Sequence, residues 1–271
     1  MSSFPVSLDF ICYMGVIIAI ANQKGGVGKT TTAVNLSTAL SLHKKKVLLV
    51  DFDPQGNATT GMGVEKSVLR FTVYDSLINN LPLRDLVIPT ATPLLYIIPA
   101  NLDLAGAEVE LAGLAHRESV LQNKLKEIKD EFDYIIIDCP PSLGLLTLNA
   151  LVSAEALLIP VQCEYYAMEG LVQLFGVIRE IKGSLNARLS ILGILLTMAD
   201  IRTNLTQQVI GEIRRHFPRE AMRTVIPRNI RISESPSYGK PVVLYDPRCN
   251  GAKSYRKLTR EVIKRVQKGI G

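Results

Sequence analysis

The sequence predicts an α/β fold, a mostly parallel twisted sheet flanked by helices on both faces, and three observations predict it. Short apolar runs rich in Val, Ile and Leu alternate with longer stretches of helical period, the pattern of successive βαβ units. Two of these runs end in Asp and a third runs into a glycine-rich turn, at the strand ends where parallel sheets gather ligands. Finally, 47% of the 271 residues are hydrophobic against 21% charged, enough apolar mass to offset chain entropy. That composition excludes a mostly disordered chain and the collagen-like and low-complexity classes.

The first strand is expected over 16–21. The apolar stretch 10–21 ends Ala-Ile-Ala, as a signal-peptidase site does, but no Lys or Arg precedes position 24, so the positive n-region is missing. About a dozen apolar residues are also too few to span a bilayer. Met14 stands just before the strand, so 1–13 reads as an N-terminal extension or a misassigned start, and 14–271 as one domain undivided by any linker or repeat. A helix follows over 29–42, then a strand over 47–51 that ends in acids and a Pro/Gly turn. Next come a strand at 95–99, helical stretches at 104–115 and 118–129, and a strand at 134–138 that again ends in Asp. Helices at 145–153, 168–181 and 205–217 then alternate with strands at 156–161, 191–197 and roughly 223–226. The last helix, 252–267, gathers Tyr255, Leu258, Val262, Ile263 and Val266 on one side, with Lys257, Arg260, Lys264 and Lys268 largely elsewhere. It has no Trp or Phe to seat in a bilayer and reads as a core-packing helix, not a membrane anchor.

Charge is unevenly placed. Residues 202–271 hold 16 Lys/Arg against 5 Asp/Glu, whereas 1–201 hold 15 against 20. Such asymmetry points to a polyanionic partner, nucleic acid or an acidic membrane; a solvated basic surface is the bland alternative. The 4 Cys (12, 139, 163, 249) form no CxxC pair and the 3 His lack metal-ligand spacing, which argues against a disulfide scaffold, a zinc finger or a histidine metal site. A reducing, cytoplasmic location is expected.

The chemistry concentrates in three segments. Between the first strand and its helix stands Asn22-Gln23-Lys24-Gly25-Gly26-Val27-Gly28-Lys29-Thr30-Thr31. Glycines let backbone N–H groups approach and cradle phosphate oxygens at a helix N-terminus, Lys29 would reach the β- and γ-phosphates, and the Thr30 hydroxyl would ligate Mg²⁺. The second segment, Asp51-Phe52-Asp53-Pro54-Gln55-Gly56-Asn57, places two acids beyond a strand end. The third, Asp138-Cys139-Pro140-Pro141, does the same with one. The third segment resembles a Walker B segment and the second a P-loop switch segment, a likeness that implies Asp138 holding Mg²⁺ through water, with Asp51 supporting metal and loop geometry. Cys139 reads as a small buried residue.

The loop departs from G-x-x-x-x-G-K-[ST] by having Gln23 in place of the first glycine and a second lysine, Lys24. Lys24-Gly-Gly-x-Gly-Lys-Thr-Thr resembles the deviant Walker A motif of the ParA/MinD family of P-loop ATPases, and the resemblance, closest to small ParA/Soj-type partition ATPases, extends over about 15–268. It implies a P-loop NTPase fold, ATP and Mg²⁺ as cofactors, and weak ATPase activity in a homodimer that sandwiches two nucleotides. Lys24, Gly25, Gly26, Val27, Gly28, Lys29, Thr30 and Thr31 would bind ATP, with Lys24 reaching the partner's nucleotide and Asp53 orienting the attacking water. The resemblance also places Pro227 and Asn229 near the adenine, and Arg202, Arg228 and Arg231 on non-specific double-stranded DNA. Ala199 stands where the family usually has an aromatic residue. A ParB/Spo0J-like partner would stimulate hydrolysis and so drive chromosome or plasmid segregation on the nucleoid, with no stable membrane anchor. The alternative is a MinD-like positioning ATPase on the membrane; a relative that holds an iron–sulfur cluster would need paired cysteines in other contexts.

Overall fold

The computed structural model describes residues 15–164 and 167–269. The extension expected over 1–13, and Tyr165 and Tyr166, lie outside the described residues. In chain order the elements are β1 (Val16–Ile20), α1 (Lys29–Leu42), β2 (Val47–Asp51), α2 (Asn57–Gly61), α3 (Val73–Leu77), β3 (Ile88–Pro89), β4 (Leu95–Ile98), α4 (Leu104–Ala112) and α5 (Val120–Leu125). They continue with β5 (Tyr134–Asp138), α6 (Leu145–Ser153), β6 (Ala156–Gln162), α7 (Ala167–Ser184), β7 (Ser190–Ala199), α8 (Asn204–His216), β8 (Ala221–Pro227), α9 (Ile230–Glu234), α10 (Val242–Tyr245) and α11 (Asn250–Gln267).

The strands form one eight-stranded sheet among the described residues, in the order β3-β4-β2-β5-β1-β6-β7-β8. All neighbours are parallel except the two-residue edge strand β3, which runs antiparallel to β4. The α/β fold expected from the alternating pattern is therefore the fold observed. Central strands are buried on both faces, and alternation along β1 sends Ile17 and Ala19 to one core and Ile18 and Ile20 to the other. Helices α3–α8 cover the first face; α1, α2, α10 and α11 cover the second. On α11 the buried stripe of Tyr255, Leu258, Val262 and Val266 packs into that second core.

Two expectations are corrected. The helix expected over 118–129 is broken into a 3₁₀ turn at Arg117–Ser119, the short α5 and a second 3₁₀ turn at Lys129–Glu131. Buried Asn149 on α6 explains the break at its start: its Oδ1 accepts from Leu121 N (3.1 Å) and its Nδ2 donates to Arg117 O (2.8 Å), replacing bonds a continuous helix would make. The edge strand β3 escaped the sequence reading because two residues, one of them Pro, carry no alternation; Pro is tolerated there because an edge leaves one side of the ladder unpaired.

What the topology does for the site is set by register. Strand β5 lies between β1 and β2, pairing Asp138 with Ile20 on one side and with Asp51 on the other. Three strand ends, carrying the glycine-rich loop and both acidic segments, thus open on one crevice.

Candidate functional site

Gly28, the last residue before α1, has φ 89°, a left-handed backbone that side chains rarely adopt. The loop ahead of it is fastened from neighbouring strands. Asn22 Nδ2 donates to Pro160 O (2.7 Å), Asn22 Oδ1 accepts from Lys24 N (3.0 Å), and Thr197 Oγ1 donates to Val27 O (2.8 Å). These ties hold the loop at the amino end of a 14-residue helix, where N–H groups and the helix dipole favour an anion. Lys29 is 6% exposed and its Nζ donates to Lys24 O (3.1 Å). Burial pulls its pKa below the ordinary lysine value, opposed by the nearby Asp138, Cys139 and Asp53.

The three carboxylates differ sharply. Asp138 is fully buried, and neither of its oxygens has a hydrogen-bond partner among the described residues. Burial first, then the charge of Asp51, pushes its pKa well above the usual carboxylate range; Lys29 and the Thr30 hydroxyl, which is nearby but not in hydrogen-bond geometry, pull the other way. Asp51 is equally buried but fully engaged. Its Oδ1 accepts from Asp53 N (3.3 Å), and its Oδ2 accepts from Thr59 N and Thr59 Oγ1 (both 2.7 Å). Desolvation still raises its pKa to about 6. Both Asp51 oxygens thus accept hydrogen bonds from the segment that follows β2. Asp53, 6% exposed, accepts from Gln55 N (2.9 Å) through Oδ1.

Residues the sequence reading passed over complete the picture. Lys24 Nζ forms an ion pair with Glu164, which follows β6, the strand beside β1. Thr197 and Asn22 tie the loop, and Thr59 satisfies Asp51. The advance signal for Asn22, Glu164 and Thr197 was a polar residue at or just past the carboxyl end of a strand; Thr59, on α2, carried none. Cys139 is buried and its thiol pushed up in pKa by desolvation, as fits a small core residue; Cys163 is raised likewise, to about 11. A cavity of about 290 Å³ adjoins the loop, lined by Thr30, Thr31, Asn35, Thr60, Ser235 and Lys240 among others. A larger one, about 530 Å³, shares no residue with the loop. Its Lys182, Arg265 and Lys268 sit at the carboxyl ends of α7 and α11, where cations offset the helix dipole.

The expected DNA-facing arginines follow the carboxyl ends of β7 and β8, and the two loops are joined by Arg228 N donating to Ala199 O (3.0 Å). Ala199 is buried in that joint. Arg202 makes a two-pronged pair with Asp200 (2.8 and 2.7 Å), and Arg231 pairs with Glu234 (2.9 Å) and Asp246 (3.6 Å). Arg228 has no ion-pair partner among the described residues. Pro227 ends β8, and Asn229 Oδ1 caps α9 by accepting from Arg231 N (3.0 Å). The Arg202 fork lowers the Asp200 pKa to about 2. In a carboxyl-carbon NMR titration Asp200 is expected to stay ionised until pH falls to about 2, and to titrate in the ordinary range in Arg202→Ala. The folded value lies below the unfolded one, so this pair adds stability above the unfolded pKa and loses it as pH falls through the folded one. An Asp200 titrating in the ordinary carboxylate range in the unaltered protein would show that the pair is not formed in solution.

Comparison with known proteins agrees with this geometry. A family model described as an AAA domain matches residues 15–191. The chain is 55% identical over 249 residues to the sporulation initiation inhibitor protein Soj of Bacillus subtilis, covering 92% of this chain and 98% of that one. It is 52% identical over 252 residues to the chromosome partitioning protein ParA of Myxococcus xanthus, covering 93% and 89%. Among solved structures, cobyrinic acid a,c-diamide synthase from Mycobacterium smegmatis with bound ADP and magnesium superposes with a TM-score of 0.83 at 34% identity, covering 94% of this chain and 97% of that one.

Proposed function

This chain belongs to the Soj/ParA family of chromosome-partitioning ATPases, and from that premise we propose that it is an ATP-dependent switch that binds DNA without regard to sequence and releases it after hydrolysis. The observation that carries the reading is the bare, buried Asp138 carboxylate beside Lys29 and Thr30. A buried carboxylate with no partner is costly unless a cation completes it. No cluster of three or more His, Cys, Asp or Glu that could hold a metal occurs among the described residues. That donor set suits Mg²⁺, which takes one or two protein ligands and fills its shell with water and phosphate oxygens. Thr30 and Asp138 would hold Mg²⁺, which when bound would supply charge neutralisation for the phosphates. Loop amides from Gly25 to Thr31 cradle the phosphates, Lys29 brings a desolvated ammonium to them, and Asp53 orients the attacking water.

Two chains close face to face, and Lys24 exchanges Glu164 for the partner's nucleotide, giving transition-state charge stabilisation of the arginine-finger kind. Pro227 and Asn229 border the adenine. Closure aligns Arg202, Arg228 and Arg231 from both chains, and phosphate draws Arg202 and Arg231 from their carboxylates. A ParB/Spo0J-like protein speeds hydrolysis, and the cycle segregates chromosomes or plasmids along the nucleoid. The membrane reading draws no support from α11, whose apolar side is in the core, and no helix among the described residues is long and apolar enough to cross a membrane.

Duplex-DNA retention with ATP or ADP, beside pelleting with anionic liposomes, tests the reading. Six arginine–phosphate contacts from two chains predict about a thousandfold loss of DNA affinity between 50 and 200 mM salt. ATP-dependent liposome pelleting without DNA retention would replace this reading with the membrane one.

A further inference from the structure

The hydrogen bonds around Asp51 connect segments that are remote in sequence. Thr59 is fully buried on α2; its hydroxyl donates to Asp51 Oδ2 (2.7 Å) and accepts from Ala100 N (3.0 Å), just beyond β4. Its own N–H donates to the same Asp51 oxygen (2.7 Å), and Asp51 Oδ1 accepts from Asp53 N (3.3 Å). Gly56, between them, has φ 60°, and a Cβ there would lie 2.6 Å from Ala100 O, so the turn is also pressed directly against the segment just beyond β4. Gly56 N closes the turn on Asp53 O (2.8 Å).

We propose that Thr59 is a positioning residue for Asp53, acting through Asp51 on one side and Ala100 on the other; this rests on the reading of Asp53 given above. The turn that carries Asp53 is anchored at its start by Asp51 and at its end by Thr59. One hydroxyl joins both anchors to the neighbouring strand end. Without it the Asp51 carboxylate loses a donor, the Ala100 amide loses its acceptor, and the Asp53 turn is free to shift. Displacements of about 1 Å at a reacting centre can cost a hundredfold in rate.

Thr59→Val keeps the branched shape and removes the hydroxyl; Thr59→Ser keeps the hydroxyl and removes the methyl. Thr59→Val is expected to lower kcat about tenfold while leaving the Kd for a non-hydrolysable ATP analogue within about threefold, and Thr59→Ser to restore kcat to within about twofold of the unaltered protein. A role in stability alone would not produce that split or that rescue. Hydrogen exchange on the unaltered protein gives a readout independent of variant folding: the amides of Asp53, Gln55, Thr59 and Ala100 should open as one unit. The proposal is overturned by kcat in Thr59→Val within about twofold of the unaltered protein, by Thr59→Ser as slow as Thr59→Val, or by independent exchange of Ala100 and Asp53. Asp53→Ala in parallel separates the failures: full activity there removes the reading of Asp53, whereas its loss with Thr59→Val unaffected removes only the clamp.

Discussion

Replacing Lys29 by Ala is expected to abolish ATP binding at micromolar nucleotide. Lys29 is a buried residue whose Nζ is held toward the loop by Lys24 O, which weakens the screening of its attraction to phosphate by water. Truncating one partner of a buried charge pair costs roughly 2–5 kcal/mol, or about thirtyfold to several-thousandfold in affinity. The same change removes the Lys29 charge that favours the ionised form of Asp138, which adds to the loss by leaving two buried carboxyls, Asp138 and Asp51, less compensated. Calorimetric titration with a non-hydrolysable ATP analogue and Mg²⁺ measures the effect. Affinity within threefold of the unaltered protein would move the nucleotide away from this loop.

Asp53→Ala should do the opposite to binding and more to turnover. Its carboxylate accepts only from Gln55 N among the described residues, so a second acceptor oxygen remains for a water. Loss of a positioned acid or base typically lowers kcat by about 10²–10⁴-fold, while Lys29, Thr30 and Asp138 still bind nucleotide. The variant is expected to accumulate as an ATP-bound, DNA-bound dimer, read by single-turnover phosphate release and by gel filtration with duplex DNA. Hydrolysis at the unaltered rate would end the assignment of Asp53, and prompt release from DNA would end the coupling of hydrolysis to release.

Much of the fold was legible because its signals are local. Apolar runs at 16–21, 47–51 and 134–138, alternating with helical stretches, led to a parallel sheet, and acids at strand ends led to one crevice. Apart from the two-residue edge strand β3, what the sequence did not show depends on long-range bonds. The 118–129 helix breaks because Asn149, about thirty residues away, takes over its backbone groups. Lys24 is held by Glu164 from 140 residues away. Arg202 is the opposite case: its partner Asp200 is two residues distant, and a local charge pair could have been read directly.

The sequence by itself determined the α/β class and the order of the seven longer strands, and it set out the glycine-rich loop Lys24–Thr31 and the acids at the strand ends. Those follow from backbone sterics, hydrophobic period and residue type, which act over a few neighbours. Only the tertiary structure decided that Asp51 is committed to Thr59 while Asp138, its neighbour across the sheet, is left bare. Both lie in the same kind of strand end, and nothing nearby in the chain tells them apart. Burial strips water from both, so each carboxylate's use depends on which distant segment supplies a donor, and that is settled only when the strands pack.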